Sequence, residues 1–199
     1  MITGVILAGG KNKRIGRNKA LLYIGNKRII ERILDVFETV FDDIVIILSQ
    51  FSTDIDIFKG YGKRIVFDIF TEKGPLGGIY TGLYYSKTKN IFAVGCDMPF
   101  LNKDVIIYLM NVISDYDTVV PYINDRLQPL HAVYSQDSLL YIKKLIERSD
   151  LSIHHLLSQL RTRIVKEDEL IPVDSDLLSF FNINREEDRI KAENLLIER

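Results

Sequence analysis

Short apolar runs recur over roughly the first 120 residues, and most of them are continuous rather than alternating. Continuous runs rich in Val and Ile are typical of strands that are buried on both faces of a parallel sheet. The pattern predicts strands at residues 4–7, 44–48, 65–67, 91–94 and 118–120. Stretches with helical spacing lie between these runs, and the alternation therefore predicts βαβ units with right-handed crossovers.

Two of the intervening stretches show a clear helical period. Residues 29–37 carry an apolar stripe on one side and charged residues on the other, as an amphipathic helix requires. Residues 105–113 repeat this pattern soon after Asn102, a residue type that caps helix N-termini. A further helix is predicted from residue 74 to residue 86, with a glycine-rich loop at its start.

The second half of the chain is less regular. Its pattern predicts strands at residues 130–134 and 180–183, helices at 138–146, 153–160 and 185–197, and a loop at 166–176. Neither a Pro/Gly/Ser-rich linker nor an internal repeat divides the chain. We therefore predict one α/β domain over residues 1–199. Its core is expected to be an open, mostly parallel Rossmann-like sheet with helices on both faces, in three αβα layers.

Composition narrows the range of partners and compartments. The chain has 26 Lys and Arg against 27 Asp and Glu, so no overall field attracts nucleic acid or an anionic membrane. Cys96 is the only cysteine, which excludes an intramolecular disulfide and a cysteine zinc cluster and fits a reducing compartment. The apolar runs are too short for a signal peptide or a membrane span. We expect a cytoplasmic protein that does not bind nucleic acid.

The loop after the first strand carries most of the chemical information. Leu7, Ala8, Gly9 and Gly10 lead away from the carboxyl end of that strand, where an open α/β sheet holds its ligands. Glycines let the backbone approach a ligand closely, and three lysines and two arginines between residues 11 and 19 suit a triphosphate. The loop matches neither the Walker A pattern nor the dinucleotide-binding glycine fingerprint. The plainer alternative is a glycine turn followed by a solvated basic loop.

Two aspartates follow predicted strands at similar positions. Asp68 comes after the strand at 65–67 and Asp97 shortly after the strand at 91–94, so both are expected at the sheet edge that carries the glycine loop. A carboxylate at that edge suits Mg²⁺, which takes one or two carboxylates, several waters and substrate phosphate oxygens. The alternatives are structural, with Asp97 as an N-cap or turn residue before a proline and Asp68 as a turn residue at a strand end.

The remaining candidates carry weaker signals. Residues 74–78 open a helix, and their glycines permit a close approach to a base or ribose, although the proline among them explains the helix start equally well. Cys96 is expected to be a small buried side chain beside the site. His154 and His155 are neighbours on a predicted helix, so they point in different directions and make a poor metal chelate. His131 is either close to a second substrate or purely structural.

Several blocks of the sequence together resemble the molybdenum cofactor guanylyltransferases, a family of α/β nucleotidyltransferases. The segment L-A-G-G-K-N-K-R-I-G-R-N-K-A-L-L at residues 7–22 is similar to the signature loop of that family, with Asn18 where members usually carry an acidic residue. Two further blocks match, G-P-L-G-G-I at 74–79 and C-D-M-P-F-L at 96–101. Weaker matches are Q-P-L-H-A-V-Y at 128–134 and F-N-I-N at 181–184. In order and spacing these blocks cover nearly the whole chain.

The resemblance implies a fold like that of the nucleotide-diphospho-sugar transferases, with residues 1–100 as a nucleotide-binding half and 101–199 as an acceptor-binding half. It implies transfer of GMP from GTP to the terminal phosphate of molybdenum-bound molybdopterin, which yields the guanine dinucleotide cofactor and pyrophosphate. GTP and the molybdenum cofactor are then the substrates. Proteins that insert molybdenum and molybdoenzymes that receive the product are further expected partners.

The resemblance also implies roles for individual residues. Arg14, Lys19 and Asp97 are expected to be catalytic, with Asp97 as the ligand of Mg²⁺. Asn182 and Asn184 are expected on the pterin side, unless they only end a short strand. The expected nucleotide contacts are Leu7, Ala8, Gly9, Gly10, Lys19, Asp68, Gly77 and Asp97.

Three other functions remain open at this point. The chain could be a molybdopterin cytidylyltransferase or a sugar-phosphate nucleotidyltransferase, although those families more often read Leu-Ala-Ala-Gly in the first loop. The Gly9-Gly10 pair therefore favours guanine. A non-catalytic carrier of a nucleotide or pterin is the alternative from another class, and the presence of both Lys19 and Asp97 argues against it.

Overall fold

The computed structural model describes residues 1–9 and 18–197. The strands of this part are β1 (Ile2–Leu7), β2 (Tyr23–Ile24), β3 (Lys27–Arg28), β4 (Ile44–Leu48), β5 (Arg64–Phe67), β6 (Asn90–Gly95), β7 (Thr118–Ile123), β8 (Arg126–Leu127), β9 (His131–Ser135) and β10 (Thr162–Lys166). The helices are α1 (Ile29–Val40), α2 (Ile55–Lys59), α3 (Gly74–Tyr85), α4 (Lys103–Asn111), α5 (Leu139–Glu147), α6 (Ile153–Gln159), α7 (Glu167–Leu170) and α8 (Glu186–Ile197). Single 3₁₀ turns lie at Lys19–Leu21, Gln136–Ser138 and Leu178–Phe180.

The main sheet has the strand order β10-β7-β9-β6-β1-β4-β5, and β8 pairs with β7 outside this row. β1 lies between β4 and β6 and is parallel to both, as the βαβ pattern predicts. β9 runs antiparallel to its two neighbours, β6 and β7. The sheet is therefore mixed but mostly parallel, which confirms the predicted fold class.

Helices cover both faces of the sheet because neighbouring residues of its central strands point to opposite sides. Ile6 and Phe92 belong to the core under α1 and α4, whereas Val5 and Ala93 belong to the core under α3 and α5. The predicted stripe of α1 is buried as a unit, and each such side chain is worth about 1.5–3 kcal/mol of apolar burial. Its buried members are Ile29, Ile30, Ile33, Leu34 and Phe37.

Two predictions in the second half are wrong. Residues 180–183 do not form a strand: Phe180 ends the 3₁₀ turn at Leu178–Phe180, and the Ile183 N–H donates to the Asp97 carbonyl at 2.8 Å. The apolar side chains of this segment pack into the core instead of joining a sheet edge. The predicted loop at 166–176 contains the short helix α7, whose first turn is acidic and so suits a helix N-terminus.

Strands that the sequence pattern does not predict include β2, β3 and β10. β10 is an edge strand in which Arg163 and Lys166 flank only two apolar residues, so it lacks the continuous apolar run of a central strand. β2 and β3 form a two-strand hairpin around Gly25, which has φ +63°. No helix in the described part of the chain has the length and apolar composition that crossing a bilayer requires.

Candidate active site

The carboxyl ends of four parallel strands meet at one edge of the sheet. Backbone hydrogen bonds continue beyond the strands there: Ala8 N–H donates to the Ile47 carbonyl at 2.8 Å, and Asp68 N–H donates to the Leu48 carbonyl at 2.9 Å. Cys96 N–H donates to the Leu7 carbonyl at 3.3 Å. These bonds bring the start of the glycine loop and the two aspartates to a common edge, as the strand pattern predicts.

The glycines at this edge are needed for close packing. A Cβ atom on Gly9 would lie 2.6 Å from the Ser49 backbone nitrogen, and one on Gly78 would lie 1.7 Å from a methyl carbon of Leu7. Either contact is closer than real side chains make, so the loop can approach β4 and α3 only without side chains at these positions. Two further predicted site residues, Gly10 and Arg14, lie outside the described residues.

The structure brings Lys19 and Asp97 together, although they are far apart in the sequence. Lys19 Nζ lies 3.4 Å from Asp97 Oδ2, and the two side chains are only 19% and 25% exposed. Lys19 Nζ also donates to Asn184 Oδ1 at 3.0 Å. Three residues that the sequence assigns to different parts of the site thus meet around one ammonium group.

Asn182 and Asn184 differ in their surroundings. Asn184 contacts Lys19, whereas Asn182 Nδ2 donates to the Phe180 carbonyl at 2.9 Å and so serves the local turn. The pairing of Asn184 with Lys19 has no signal in the sequence, because it depends on how the C-terminal segment folds back over β6. The Ile183 hydrogen bond to the Asp97 carbonyl holds that segment in place.

A cleft of about 1240 Å³ opens at the same edge. Of the predicted nucleotide contacts, Leu7, Ala8, Gly9 and Asp68 line it. Lys19, Gly77 and Asp97 are not among its lining residues. Lys19 directly follows the lining residue Asn18 in the sequence. The sequence reading missed several residues that line the cleft, including Ser49, Phe51, Arg28 and Arg189.

Asp68 is held in a defined orientation at the wall of the cleft. Its Oδ1 accepts hydrogen bonds from the Thr81 hydroxyl at 2.9 Å and from the Phe70 N–H at 3.2 Å. Burial raises the pKa of this carboxyl above its usual range, and the two hydrogen bonds oppose the shift in part. A Cβ atom on Gly77 would lie 3.3 Å from both carboxylate oxygens of Asp68, so Gly77 leaves room for that carboxylate.

Cys96 and the histidines have structural surroundings. Burial raises the pKa of the Cys96 thiol to about 12, which keeps it protonated and poorly nucleophilic. His131 is fully buried, with its ring 5.3 Å from that of Phe92 and 4.6 Å from that of Phe180. The structural alternative for His131 is therefore the one that the geometry favours. His155 is exposed and pairs with Asp150 at 2.6 Å.

Comparison with known sequences adds three findings. Residues 4–164 match the family described as the MobA-like NTP transferase domain. A protein from Desulfosudis oleivorans named molybdenum cofactor guanylyltransferase is 37% identical over 194 residues, which cover 96% of this chain and 94% of that protein. A protein from Pelotomaculum thermopropionicum named probable molybdenum cofactor guanylyltransferase is 33% identical over 190 residues, with 96% and 91% covered.

A solved structure has a similar fold over its full length. The crystal structure of molybdopterin-guanine dinucleotide biosynthesis protein A from Archaeoglobus fulgidus superposes with a TM-score of 0.88, and both chains are covered completely. The two sequences are 24% identical, so this similarity concerns the fold alone.

Proposed function

Since the chain belongs to the MobA-like NTP transferase family, we propose that it is a molybdenum cofactor guanylyltransferase. It transfers GMP from GTP to the terminal phosphate of molybdopterin and releases pyrophosphate. The observation that carries the proposal is the meeting of Lys19 and Asp97 beside a cleft lined by the start of the glycine loop. The names of the relatives from Desulfosudis oleivorans and Pelotomaculum thermopropionicum support the choice of guanine and of the pterin acceptor.

The reaction needs positioning and charge neutralisation more than a protein nucleophile. An oxygen of the acceptor phosphate attacks the α-phosphorus of GTP, the bond from that phosphorus to the bridging oxygen of the β-phosphate breaks, and pyrophosphate leaves. The acceptor phosphate is already anionic, so the protein has only to align it and to stabilise the charge on the transferred group. Lys19 is suited to this task, because its partly buried ammonium contacts both Asp97 and Asn184.

The surroundings of Asp97 fit a magnesium ion that arrives with the nucleotide. In residues 1–9 and 18–197, no group of three or more His, Cys, Asp or Glu side chains could hold a metal by itself. Mg²⁺ is commonly bound through one or two carboxylates, with waters and substrate phosphates completing its shell, and one partly exposed carboxylate at the sheet edge meets that need. When bound, the ion supplies neutralisation of phosphate charge.

The nucleotide base belongs, in this proposal, in the part of the cleft between Gly9 and Asp68. Both residues line the cleft, and the Thr81 hydroxyl orients the Asp68 carboxylate. A site built to hydrogen-bond particular groups rejects analogues that lack them, because its buried polar atoms are then unpaired. We propose Leu7, Ala8 and Gly77 as further nucleotide contacts and Arg14, with Lys19, as a phosphate contact.

Strands from both halves of the chain belong to one sheet, which supports a single domain. Within it, we propose that residues 1–100 bind the nucleotide and residues 101–199 bind the acceptor. We propose that the reaction takes place in the cytoplasm. We further propose that proteins that insert molybdenum and molybdoenzymes that receive the product contact this chain.

A pyrophosphate-release assay with purified protein, molybdopterin and Mg²⁺ tests the function. GTP is expected to exceed CTP and ATP by at least about 100-fold in kcat/KM. Preference for CTP would make the chain a cytidylyltransferase, and absence of turnover with every nucleotide, alongside normal folding, would favour a carrier. Thermal shifts measured with each triphosphate separate binding from turnover, since a ligand that binds the native state raises Tm.

A further inference from the structure

Asn18 occupies a particular position between the glycine loop and Lys19. Its Oδ1 accepts a hydrogen bond from the Ala20 N–H at 3.1 Å, so its side chain caps the 3₁₀ turn that begins at Lys19. Its Nδ2 lies 3.4 Å from the Ala8 carbonyl, at the other end of the loop. The Asn18 carbonyl also accepts from the Leu21 N–H at 3.0 Å. Asn18 therefore fixes the backbone from which the Lys19 side chain extends.

The other contacts of this turn show why its orientation matters. Ala20 is completely buried in the core, so the turn has a fixed anchor on one side. Lys19 has to extend from that anchor to Asp97 and Asn184, which belong to two distant segments of the chain. A turn without its cap would retain the anchor at Ala20 but lose the bond that fixes the residue before Lys19. An error of about 1 Å in the position of a group that meets reacting atoms can cost 100-fold in rate.

We infer that Asn18 is a positioning residue for Lys19, and that this position requires a hydrogen-bond acceptor rather than a negative charge. The inference rests on the proposed function, in which Lys19 contacts the transferred phosphate. Asp, Ser and Asn all cap helix N-termini through an oxygen acceptor, whereas Ala and Leu cannot. An acidic residue and an asparagine both supply a side-chain oxygen that can accept the Ala20 N–H, so either can cap the turn. The long contact of Nδ2 with the Ala8 carbonyl is a smaller contribution, and an ionised Asp has no donor for it.

The experiment compares four variants at this position, measured with GTP, molybdopterin and Mg²⁺. Asn18→Asp and Asn18→Ser retain the cap with and without a charge, and both are expected to keep kcat within about threefold of the original protein. Asn18→Ala and Asn18→Leu lose the cap, and kcat is expected to fall about tenfold while the KM for GTP changes less. Ser152→Ala is the matched control, because Ser152 caps α6 through the His155 N–H at 3.3 Å and contacts none of these residues.

A second measurement needs no nucleotide and so separates this inference from the proposed function. Amide hydrogen exchange at Ala20 is expected to be about fivefold faster in Asn18→Ala than in the original protein, and unchanged in Asn18→Asp. Unchanged exchange in Asn18→Ala would refute the cap. Equal loss of kcat in all four variants would instead assign the amide a direct contact with the nucleotide. If the original protein has no transferase activity but Ala20 exchange follows the expected order, the function fails and the capping role remains.

Discussion

His131 gives a quantitative test of how a neutral buried group makes stability depend on pH. Its ring is fully buried between Phe92 and Phe180, and within the described residues neither ring nitrogen has a hydrogen-bond partner of normal geometry. Burial lowers the pKa of His131 from 6.5 to about 3, while the Ser179 backbone opposes the shift in part. The native state therefore holds this imidazole neutral at pH values where the unfolded chain protonates it.

The sign and size of the effect follow from proton linkage. The pKa is lower in the folded state than in the unfolded state, so the contribution to stability is complete above about pH 6.5 and is lost as the pH falls towards 3. A pH of 5 lies about 1.5 units below the pKa of a histidine in the unfolded chain. At this pH, protonation of His131 stabilises the unfolded chain by about 2 kcal/mol, whereas the native state stays neutral and gains nothing. For a chain of this length, that loss lowers Tm by roughly 4–8 °C.

The assay is urea unfolding at pH 8 and pH 5 for the original protein, His131→Leu and an exposed-histidine control, His154→Leu. Other groups titrate over the same range, so the measured quantity is the difference between variants in the loss of unfolding free energy. His131→Leu is expected to lose about 2 kcal/mol less than the original protein, and His154→Leu to lose as much as the original. Equal losses in all three proteins would refute a neutral buried His131.

The other predictions concern the active site. Lys19→Ala should lower kcat/KM for GTP by roughly 10- to 100-fold, because a charge-assisted contact with phosphate is lost; steady-state kinetics with unchanged values would remove Lys19 from the site. Asp97→Asn keeps the size of the side chain but loses its charge, so turnover should collapse while the circular dichroism spectrum and Tm stay close to those of the original protein. Activity with an unaltered Mg²⁺ dependence would show that the metal binds elsewhere. Asp68→Asn keeps an acceptor for the Thr81 hydroxyl, so Tm should hold while the KM for GTP rises about tenfold; an unchanged KM would exclude a nucleotide contact.

The parts of the fold that the sequence predicts are those with a strong local pattern. β1, β4 and β6 are continuous apolar runs because both faces of each strand are covered, and α1 has a clear stripe because one face of it is buried. The apolar pattern does not predict β10, because edge strands carry charged residues. The pattern wrongly predicts a strand at residues 180–183, because their apolar side chains are buried without any sheet partner.

In the site, too, the sequence predicts features that have a local pattern and misses those that depend on contacts between distant residues. A glycine loop after a strand and an aspartate at the end of another are local signals, so their placement at one edge follows from the parallel topology alone. The contact of Lys19 with Asn184 joins residues that are 165 positions apart, and no local pattern encodes it. The burial of His131 likewise depends on Phe180, which reaches it only through the fold of the C-terminal segment.

The antiparallel insertion of β9 has a consequence for synthesis on the ribosome. Residues 1–100 contain the four neighbouring parallel strands β5, β4, β1 and β6, and the outer edge of β6 pairs with residues 131–135. β7 is made earlier, but in the native sheet it is separated from β6 by β9. The nascent chain therefore carries an unpaired apolar edge until β9 leaves the exit tunnel. An unpaired edge of this kind is a ready template for another strand, so this interval is the one in which the chain is most prone to association.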